Sequence, residues 1–260
     1  MAMDDNDLNR GLETLRLRYL QKNRADFVAR ATKRRLGAQE IIEELVHLEL
    51  DEGKRHSVES RLKAARLGTY QPMSAFDWSW PKKINRDAID NLFTLEFLKE
   101  PANPIFIGPA GVGKTMIAKN LVYHAVMKGN TGLCVDASKM LSELGEQESS
   151  RALERRILKY IRPSLLCIDE VGYLSYSTRA ADLMFQVLSR RYEHGATIVT
   201  TNSPFAGWDT IFPSAGCVSV MIDRLTHRAE ILVIEAESWR RKEAGERQTR
   251  RKKPHSKKED

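Results

Sequence analysis

The segment GPAGVGKT, residues 108–115, directly follows the apolar run NPIFI and matches the pattern G-x4-G-K-[ST]. Glycines in this pattern let the chain turn tightly, so that successive backbone N–H groups point inward at phosphate oxygens. The positive charge of Lys114 suits the β and γ phosphates, and the hydroxyl of Thr115 is placed to ligate Mg²⁺. The pattern therefore predicts a site for a nucleoside triphosphate with magnesium. We expect the nucleotide to contact Gly108, Pro109, Ala110, Gly111, Val112, Gly113, Lys114, Thr115 and Met116.

Two acidic residues end a second apolar run, LLCIDE. The run places Asp169 at the C-terminal end of a predicted strand, where the ligands of open parallel sheets collect. We expect Asp169 to hold the magnesium ion, directly or through water. Glu170 follows at once, and a carboxylate there can polarise an attacking water, which a metabolite kinase has no need to do. The pair favours hydrolysis over phosphoryl transfer. The alternative is that the two acids are only solvated residues at the end of a strand.

A third run, TIVTTN, ends in Asn202. If this strand lies beside the one that carries Asp169, the amide of Asn202 could bridge the γ-phosphate and the attacking water. Asparagine is also an ordinary turn residue at the end of a strand, so its position leaves both interpretations open.

The segments between these motifs alternate between helical and strand-like patterns. Helices are predicted near residues 85–99, 114–128 and 179–194, with further helices up to about residue 162. Short apolar strands separate them: PIFIG, GLCVD, SLLCID, ATIVTTN and AEILVIEA. This alternation predicts an α/β fold with a mainly parallel sheet that carries helices on both faces.

The N-terminal region, residues 8–67, shows helical periodicity with few breakers. Leu8, Leu12 and Leu15 recur every three or four positions, which predicts a small all-helical domain. Glycine and proline interrupt the pattern in GTYQPMSAFDWSWP, whose aromatic residues could pin a linker onto a neighbouring surface. We therefore predict a helical domain at 1–67, a linker at 68–83, a nucleotide-binding α/β domain at 84–242 and a basic tail at 243–260.

The composition is that of a globular protein: 260 residues with 42% apolar and a net charge of +7. No run approaches the ~20 apolar residues that a membrane-spanning helix needs. The acidic start MAMDDNDLNR does not resemble a secretory signal, so we expect a cytoplasmic protein that does not enter a membrane. Cys134, Cys167 and Cys217 lack metal-ligand spacing and are interpreted as buried or reduced thiols.

Positive charge is concentrated in two segments. Residues 240–260 hold ten Lys or Arg and four Asp or Glu, which indicates a disordered tail that contacts polyanions or only aids solubility. Residues 151–162 predict an amphipathic helix with Leu153, Ile157, Tyr160 and Ile161 on one face. Its opposite side carries Arg151, Arg155, Lys159 and Arg162. This stripe is either a solvated face or a contact surface for DNA phosphates.

The phosphate loop, the Asp-Glu strand and the Asn strand, in this order, resemble those of AAA+ ATPases of the initiator and helicase-loader branch. The chain is most similar to the IstB-type helper ATPases that insertion sequences encode. The resemblance rests on GPAGVGKT, CIDEVGYL, LMFQVLSRRYEHGATIVTTN, MIDRLTHRAEIL and ESWRRK. It implies a three-layer P-loop AAA+ fold with a mainly parallel five-stranded sheet, preceded by a small helical domain, that binds ATP and Mg²⁺.

The resemblance also assigns roles to single residues. Arg224, in IDRL, matches the arginine that such ATPases insert into a neighbour's site, so hydrolysis would need a homo-oligomer with shared ATP sites. Arg240, in ESWRRK, resembles the sensor-2 arginine, although the adjacent Arg241 leaves the position open. Relatives carry a DNA-contacting helical element where residues 151–162 lie, which favours DNA contact by the basic stripe. The predicted catalytic residues are Lys114, Glu170, Asn202, Arg224 and Arg240.

The family implies an ATP-dependent DNA-binding helper for transposition. Such a protein assembles on duplex DNA with ATP, recruits the transposase encoded by the same element, and hydrolyses ATP to ADP and phosphate. A DnaC-like replicative helicase loader, which would bind a helicase and single-stranded DNA, is the alternative with the same fold. A non-hydrolysing, nucleotide-gated binding module is the alternative from another class, while Glu170 and Arg224 disfavour a small-molecule kinase.

Overall fold

The computed structural model describes residues 3–192, 194–213, 215–239 and 241–242. It divides into two compact units, residues 1–61 and 62–260. The division falls within a long helix and precedes the predicted linker, so the linker belongs to the second unit.

Helices make up the first unit: α1 (Asp5–Thr14), α2 (Arg18–Arg34) and most of α3 (Ala38–Ala65). The carboxylate of Glu49 in α3 accepts the backbone N–H groups of Tyr19 and Leu20 at 3.0 and 2.9 Å. It thereby satisfies donors that the start of α2 would otherwise leave open. The predicted apolar periodicity is wrong at Leu15, which is 70% exposed, because α1 ends at Thr14 and the chain turns there.

The second unit is built on a five-stranded parallel sheet. Its strands are β1 (Asn103–Ile107), β2 (Gly132–Asp136), β3 (Leu165–Val171), β4 (Ala196–Thr201) and β5 (Ala229–Val233). They are ordered β2-β3-β4-β1-β5, and every neighbouring pair is parallel. All five carboxyl ends therefore lie at one edge of the sheet, where the predicted nucleotide site is located.

Helices cover both faces of the sheet. They are α4 (Arg86–Leu92), α5 (Lys114–Met127), α6 (Ala137–Gly145), α7 (Ser150–Ile161), α8 (Thr178–Arg191), α9 (Trp208–Ile211) and α10 (Val218–Thr226). Successive residues of a strand point to opposite faces. Ile105 thus belongs to the core beneath α6, α7, α8 and α10, while Phe106 belongs to the core beneath α4 and α5. This confirms the predicted three-layer α/β arrangement. In the described part of the chain, none of the helices has the length and apolar content needed to span a membrane.

The predicted helix at residues 85–99 is wrong in its second half. Helix α4 begins after Asn85, whose side chain accepts the N–H of Ala88 at 3.0 Å, and it ends at Leu92. Leu95 then adopts φ 62°, which a right-handed helix excludes, and a 3-10 helix follows at Glu96–Leu98. The side chain of Leu95 is buried in the core, so tertiary packing outweighs the local helical preference.

The linker is fastened to α5 by one buried amide. The Oδ1 atom of Asn120 accepts the hydroxyl of Tyr70 at 2.7 Å and the backbone N–H of Met73 at 3.0 Å. Phe76 packs, half-buried, against the core beneath α4 and α5. The linker therefore forms a wall of the second unit, on the side of the helix that follows the phosphate loop.

Candidate functional site

The phosphate loop connects the carboxyl end of β1 to the first turn of α5. Gly111 and Gly113 adopt φ +79° and +100°, a region that residues with a side chain rarely enter. A side chain at Gly113 would also collide with the ring of Phe76, and one at Gly111 would collide with Ser238. Both glycines are therefore required by backbone conformation and by close packing.

The buried side chain of Lys114 lies inside the curve of this loop. Its Nζ atom donates to the carbonyl oxygens of Gly108 and Pro109 at 2.6 and 2.7 Å. Lys114 is also the first residue of α5, where the helix dipole is positive. Charge and dipole act in the same direction, so the concave side of the loop is suited to a phosphate anion.

A hydroxyl and a carboxylate meet beside the loop. Thr115 Oγ1, on the first turn of α5, donates to Asp169 Oδ1, near the end of β3, at 2.9 Å. Mg²⁺ prefers such oxygen ligands, and it usually takes one or two from protein while phosphates and water supply the rest. No group of three or more His, Cys, Asp or Glu that could hold a metal occurs among the described residues. The pair therefore fits a magnesium ion that arrives with a nucleotide.

The acidic pair, Asp169 and Glu170, sits in a β-bulge. Ile168 is paired with Val199 of β4, and the next pair joins Val171 to Thr201, so the two acids together face one residue, Thr200. Glu170 has φ +61°, a left-handed conformation that costs on the order of 1–3 kcal/mol for a residue with a side chain. Such strain persists only where the surroundings hold the backbone in place.

Thr200 holds this bulge, and the sequence interpretation missed it. Its hydroxyl donates to Asp169 Oδ1 at 2.5 Å and accepts the backbone N–H of Glu170 at 2.9 Å. The side chain is completely buried. Thr200 lies two residues before Asn202 in ATIVTTN, and a buried threonine so close to the acidic strand was the available signal.

Asn202 follows β4 at the same edge of the sheet. Its Oδ1 atom lies against the backbone of Gly172, where a Cβ would come within 3.3 Å of it. Gly172 comes directly after β3, with φ +91°, so glycine is needed where the two strand ends approach each other. The strands that carry Asp169 and Asn202 are therefore adjacent, as predicted.

A cleft of about 620 Å³ runs from the phosphate loop to the linker. Its inner end is lined by the loop, Glu170 and Thr200, and its walls include the aromatic side chains of Phe76, Trp80, Tyr173 and Trp239. Clefts of roughly 300–1,000 Å³ are typical of small-molecule sites, so the volume fits a nucleotide. The lining combines the positive charge of Lys114 with aromatic surface, which suits the phosphates and the base of a nucleotide.

The segment after β5 joins the linker across the mouth of this cleft. Lys83 and Glu235 exchange two backbone hydrogen bonds at 3.1 and 3.0 Å, in antiparallel orientation. The indole Nε1 of Trp80 donates to the carbonyl of Glu237 at 2.9 Å. Two distant parts of the chain therefore form one rim.

This rim contacts the phosphate loop directly. The backbone N–H of Trp239 donates to the carbonyl of Gly111 at 3.0 Å. The rings of Trp239 and Trp80 meet edge to face at 5.5 Å, and Lys242 Nζ lies 4.4 and 4.2 Å from their centroids, within cation–π range. Arg240, the predicted sensor-2 residue, lies outside the described residues, as does the basic tail at 243–260.

A family model for the IstB-like ATP binding protein matches residues 11–247. The chain belongs to the IstB-like ATP-binding family. It is 30% identical over 236 residues to the ATP-binding protein named for insertion sequence IS232 of Bacillus thuringiensis subsp. berliner, covering 91% of this chain and 94% of that one. It is 32% identical over 232 residues to the corresponding IS21 protein of Pseudomonas aeruginosa, covering 89% and 88%. These names state an insertion-sequence origin and ATP binding.

Solved structures show the fold of this IstB-like protein. The crystal structure of DnaI aligns with a TM-score of 0.51 at 17% identity, over 66% of this chain and 90% of that one. The replication initiator DnaA bound to AMPPCP and single-stranded DNA aligns with a TM-score of 0.50 at 20% identity, over 68% and 56%. The second unit thus has the P-loop AAA+ fold that the resemblance implied.

Arg224 lies at the edge of the sheet opposite the cleft. Its guanidinium is 5.2 Å from the ring centroid of Phe185 and 5.9 Å from that of Tyr192. It lines a small cavity together with Asn103 and Thr197, which stand at the starts of β1 and β4. Strands of five or six residues span roughly 15–20 Å, so Arg224 of the IstB-like chain does not reach its own phosphate loop.

The predicted basic stripe on α7 is exposed at three of its four positions. Ile157 and Tyr160 are buried, while Leu153 and Ile161 pack against the core. Arg151, Arg155 and Arg162 are exposed on the other side.

Lys159 departs from the predicted stripe. Its Nζ atom lies 2.5 and 2.6 Å from the two carboxylate oxygens of Glu143 on α6, and 23% of its side chain is exposed. Burial tends to raise the pKa of Glu143, but hydrogen bonds from Lys159 and Tyr160 outweigh it and hold that pKa below its ordinary value. The position of α6 could not be inferred from the sequence of α7.

The end of α7 is held by a buried arginine of the RRYEHG segment. The guanidinium of Arg191 donates to the carbonyl oxygens of Tyr160, Ile161 and Pro163 at 2.8–3.0 Å and to the hydroxyl of Thr197 at 3.0 Å. Burial lowers the pKa of Arg191 to about 10, so it keeps its charge at neutral pH. Sequence reasoning used this segment only as a family motif, and the structure shows that it positions the basic helix.

Proposed function

We propose that this protein is an ATP-hydrolysing, DNA-binding helper of an insertion sequence. It assembles on duplex DNA with ATP and supports target selection by the transposase of the same element. The proposal of ATP hydrolysis rests on one observation: Thr115, Asp169 and Glu170 lie close together beside the phosphate loop, in one cleft. The family supplies the genetic context, since its named relatives belong to insertion sequences.

Each part of the cleft has a role in hydrolysis. Lys114 binds the β and γ phosphates, and Thr115 with Asp169 would hold Mg²⁺. The ion, when bound, neutralises charge that develops on the phosphate oxygens. Glu170 orients and polarises the attacking water, and the amide of Asn202 bridges that water and the γ-phosphate. The remaining nucleotide contacts come from the backbone of residues 108–113.

The aromatic part of the cleft supports a purine base. Phe76 lies in the linker that Asn120 anchors, and Trp80 and Trp239 stand at the rim. Aromatic faces hold a base by stacking, which contributes roughly 1–3 kcal/mol per base in nucleic-acid complexes. Because these walls come from the linker and from the chain after β5, base binding would also tighten the rim.

Hydrolysis would take place between subunits. Arg224 is too far from its own cleft to stabilise a transferring phosphoryl group, and it stands half-exposed at the opposite edge of the sheet. An arginine supplied by a neighbouring subunit accelerates such reactions by about 10³–10⁵. We therefore assign Arg224 to the site of the next copy in a homo-oligomer.

DNA would be bound through its phosphates. Arg151 and Arg155 on α7 are exposed, as is Arg162, which directly follows the helix. Arg191 and a Glu154–Arg190 ion pair at 2.5 Å hold this helix in place. Contacts to phosphates give affinity that depends strongly on salt and weakly on sequence. The structural relative DnaA is described with single-stranded DNA, which supports a nucleic-acid ligand without deciding between one strand and two.

The deciding experiment compares ATP turnover with two sets of ligands. A transposition helper is expected to hydrolyse ATP faster with duplex DNA, in a manner that depends on protein concentration because sites are shared. A helicase loader would respond instead to a replicative helicase with single-stranded DNA. Absence of turnover under both conditions, with ATP binding retained, would favour the nucleotide-gated binding module.

A further inference from the structure

Thr200 occupies a special position relative to the acidic pair. In the bulge, Asp169 and Glu170 of β3 stand opposite this single residue of β4. A bulge disrupts the regular ladder, and the backbone N–H of Glu170 would lose a regular partner there. The hydroxyl of Thr200 accepts that N–H at 2.9 Å, so a side chain takes the place of a strand carbonyl.

The same hydroxyl orients the other acid. A hydroxyl has one proton to donate and two lone pairs to accept with. Thr200 donates its proton to Asp169 Oδ1 at 2.5 Å and accepts the N–H of Glu170 with a lone pair. Asp169 Oδ1 is also the atom that Thr115 contacts at 2.9 Å. One oxygen of Asp169 is thereby fixed from two sides.

The left-handed backbone of Glu170 makes this support necessary. Glycine is the usual residue at φ above zero, yet the chemistry of this site needs a carboxylate. Thr200 is fully buried, and its branched side chain restricts rotation about χ1, so its hydroxyl cannot turn away at low cost. The hydroxyl thus holds a strained residue and its neighbour in one arrangement.

We propose that Thr200 is the positioning residue of the acidic pair: its single hydroxyl sets the direction of the Asp169 carboxylate and keeps Glu170 in the conformation that presents its side chain to the cleft. This inference rests on the proposed function, because it assigns Asp169 to Mg²⁺ and Glu170 to the attacking water. Thr200 acts through these two residues and need not touch the nucleotide.

The test compares Thr200→Val with Thr200→Ser and a matched control. Valine keeps the shape but removes the hydroxyl, while serine keeps the hydroxyl and removes the methyl group. Ile198→Val is the control, because Ile198 is a buried residue of the same strand that belongs to the core beneath α4 and α5. Removing an orienting residue from a metal ligand commonly lowers activity or metal affinity by about 10–100-fold.

We expect Thr200→Val to lower kcat by about 10–100-fold with a smaller change in KM for ATP. It should also remove the part of the affinity for a non-hydrolysable ATP analogue that depends on Mg²⁺, while Mg²⁺-free binding stays. Thr200→Ser should recover most of both, and Ile198→Val should change neither. In a crystal structure of Thr200→Val, Glu170 is expected to leave the left-handed region.

Two results would overturn the inference. The first is a Thr200→Val protein with the kcat and the Mg²⁺ dependence of the wild type. The second is a loss of Mg²⁺-free binding as large as the loss of Mg²⁺-dependent binding, which indicates general damage. If Thr200→Val does not fold, Thr200→Ser and Thr200→Ala form a pair that differs only in the hydroxyl. If the wild-type protein shows no turnover, the proposed function fails, and the binding and crystallographic measurements still decide the role of Thr200.

Discussion

The hydroxyl of Thr115 and the carboxylate of Asp169 meet at 2.9 Å, although they belong to a helix start and a strand end that are far apart in sequence. Thr115 is positioned by the phosphate loop, and Asp169 by the register of β3 between β2 and β4. A change in either element would alter the distance between the two oxygens. The affinity for Mg²⁺ therefore depends on the correct positions of both the phosphate loop and β3.

Glu170→Gln should keep ATP binding and abolish turnover. The amide has nearly the shape of the carboxylate but cannot act as a base, and a positioned general base contributes typically 10²–10⁴-fold, so we expect a loss of about that size. Steady-state phosphate release and equilibrium binding of a fluorescent ATP analogue measure the two properties. Glu96→Gln, an exposed glutamate paired with Lys99, is the control. Normal turnover in Glu170→Gln would exclude the base assignment.

Gly113→Ala should destabilise the protein and also weaken nucleotide binding. The φ of +100° strains alanine by about 1–2 kcal/mol, and the new methyl group would collide with Phe76 at the cleft wall. Gly129→Ala is the matched control, because φ is +99° there and no atom lies within 4 Å of the added group. We expect similar losses of unfolding free energy from strain and a binding defect in Gly113→Ala alone. Equal ATP affinities in the two variants would contradict this.

Arg224→Ala should bind ATP normally and lose hydrolysis by about 10³-fold or more, since the arginine is proposed to serve a neighbouring site. Arg228→Ala, which removes an exposed arginine near the same cavity, is the control.

Mixing Arg224→Ala with Glu170→Gln distinguishes action in the same chain from action on a neighbour. The first variant has an intact cleft and the second an intact arginine, so mixed oligomers regain activity only if the arginine crosses the interface. Mixtures that stay as inactive as the separate variants would overturn the assignment of Arg224 to a shared site.

Replacing Arg151 and Arg155 with alanine should weaken duplex DNA binding and flatten its salt dependence. Each lost phosphate contact reduces the slope of log K against log salt by about 0.9, so we expect a change of about two. Lys159→Ala is predicted to leave this slope unchanged and to lower thermal stability, because Lys159 is paired with Glu143. An unchanged slope in the double variant would make the stripe a solvated face.

The sequence predicted what depends on neighbouring residues of the chain. The phosphate loop is contiguous, so the sequence alone places its glycines, Lys114 and Thr115 together, and the period of α7 separated its buried face from its exposed one. Thr200 was missed because its contacts follow from the register of β4 against the bulge in β3. Lys159 was predicted to face outward with the stripe, but it is paired with Glu143, which comes from another helix.

Two further features also depend on tertiary packing. Helix α4 ends at Leu92, and Leu95 is buried in the core in a left-handed conformation. The contact between Trp239 and Gly111 joins the end of the described chain to its phosphate loop, across the sheet topology. Periodicity in the sequence contains neither piece of information.

The opposite placement of Arg224 and the cleft on one sheet gives any assembly built through them a direction. Each copy would offer an arginine on one side and receive one on the other, so successive copies stand head to tail and cannot form a closed twofold pair through this contact. An open row would leave one terminal cleft without its arginine and the other terminus with an unused one. Its two ends would differ chemically, and a protein that binds such a row could distinguish them.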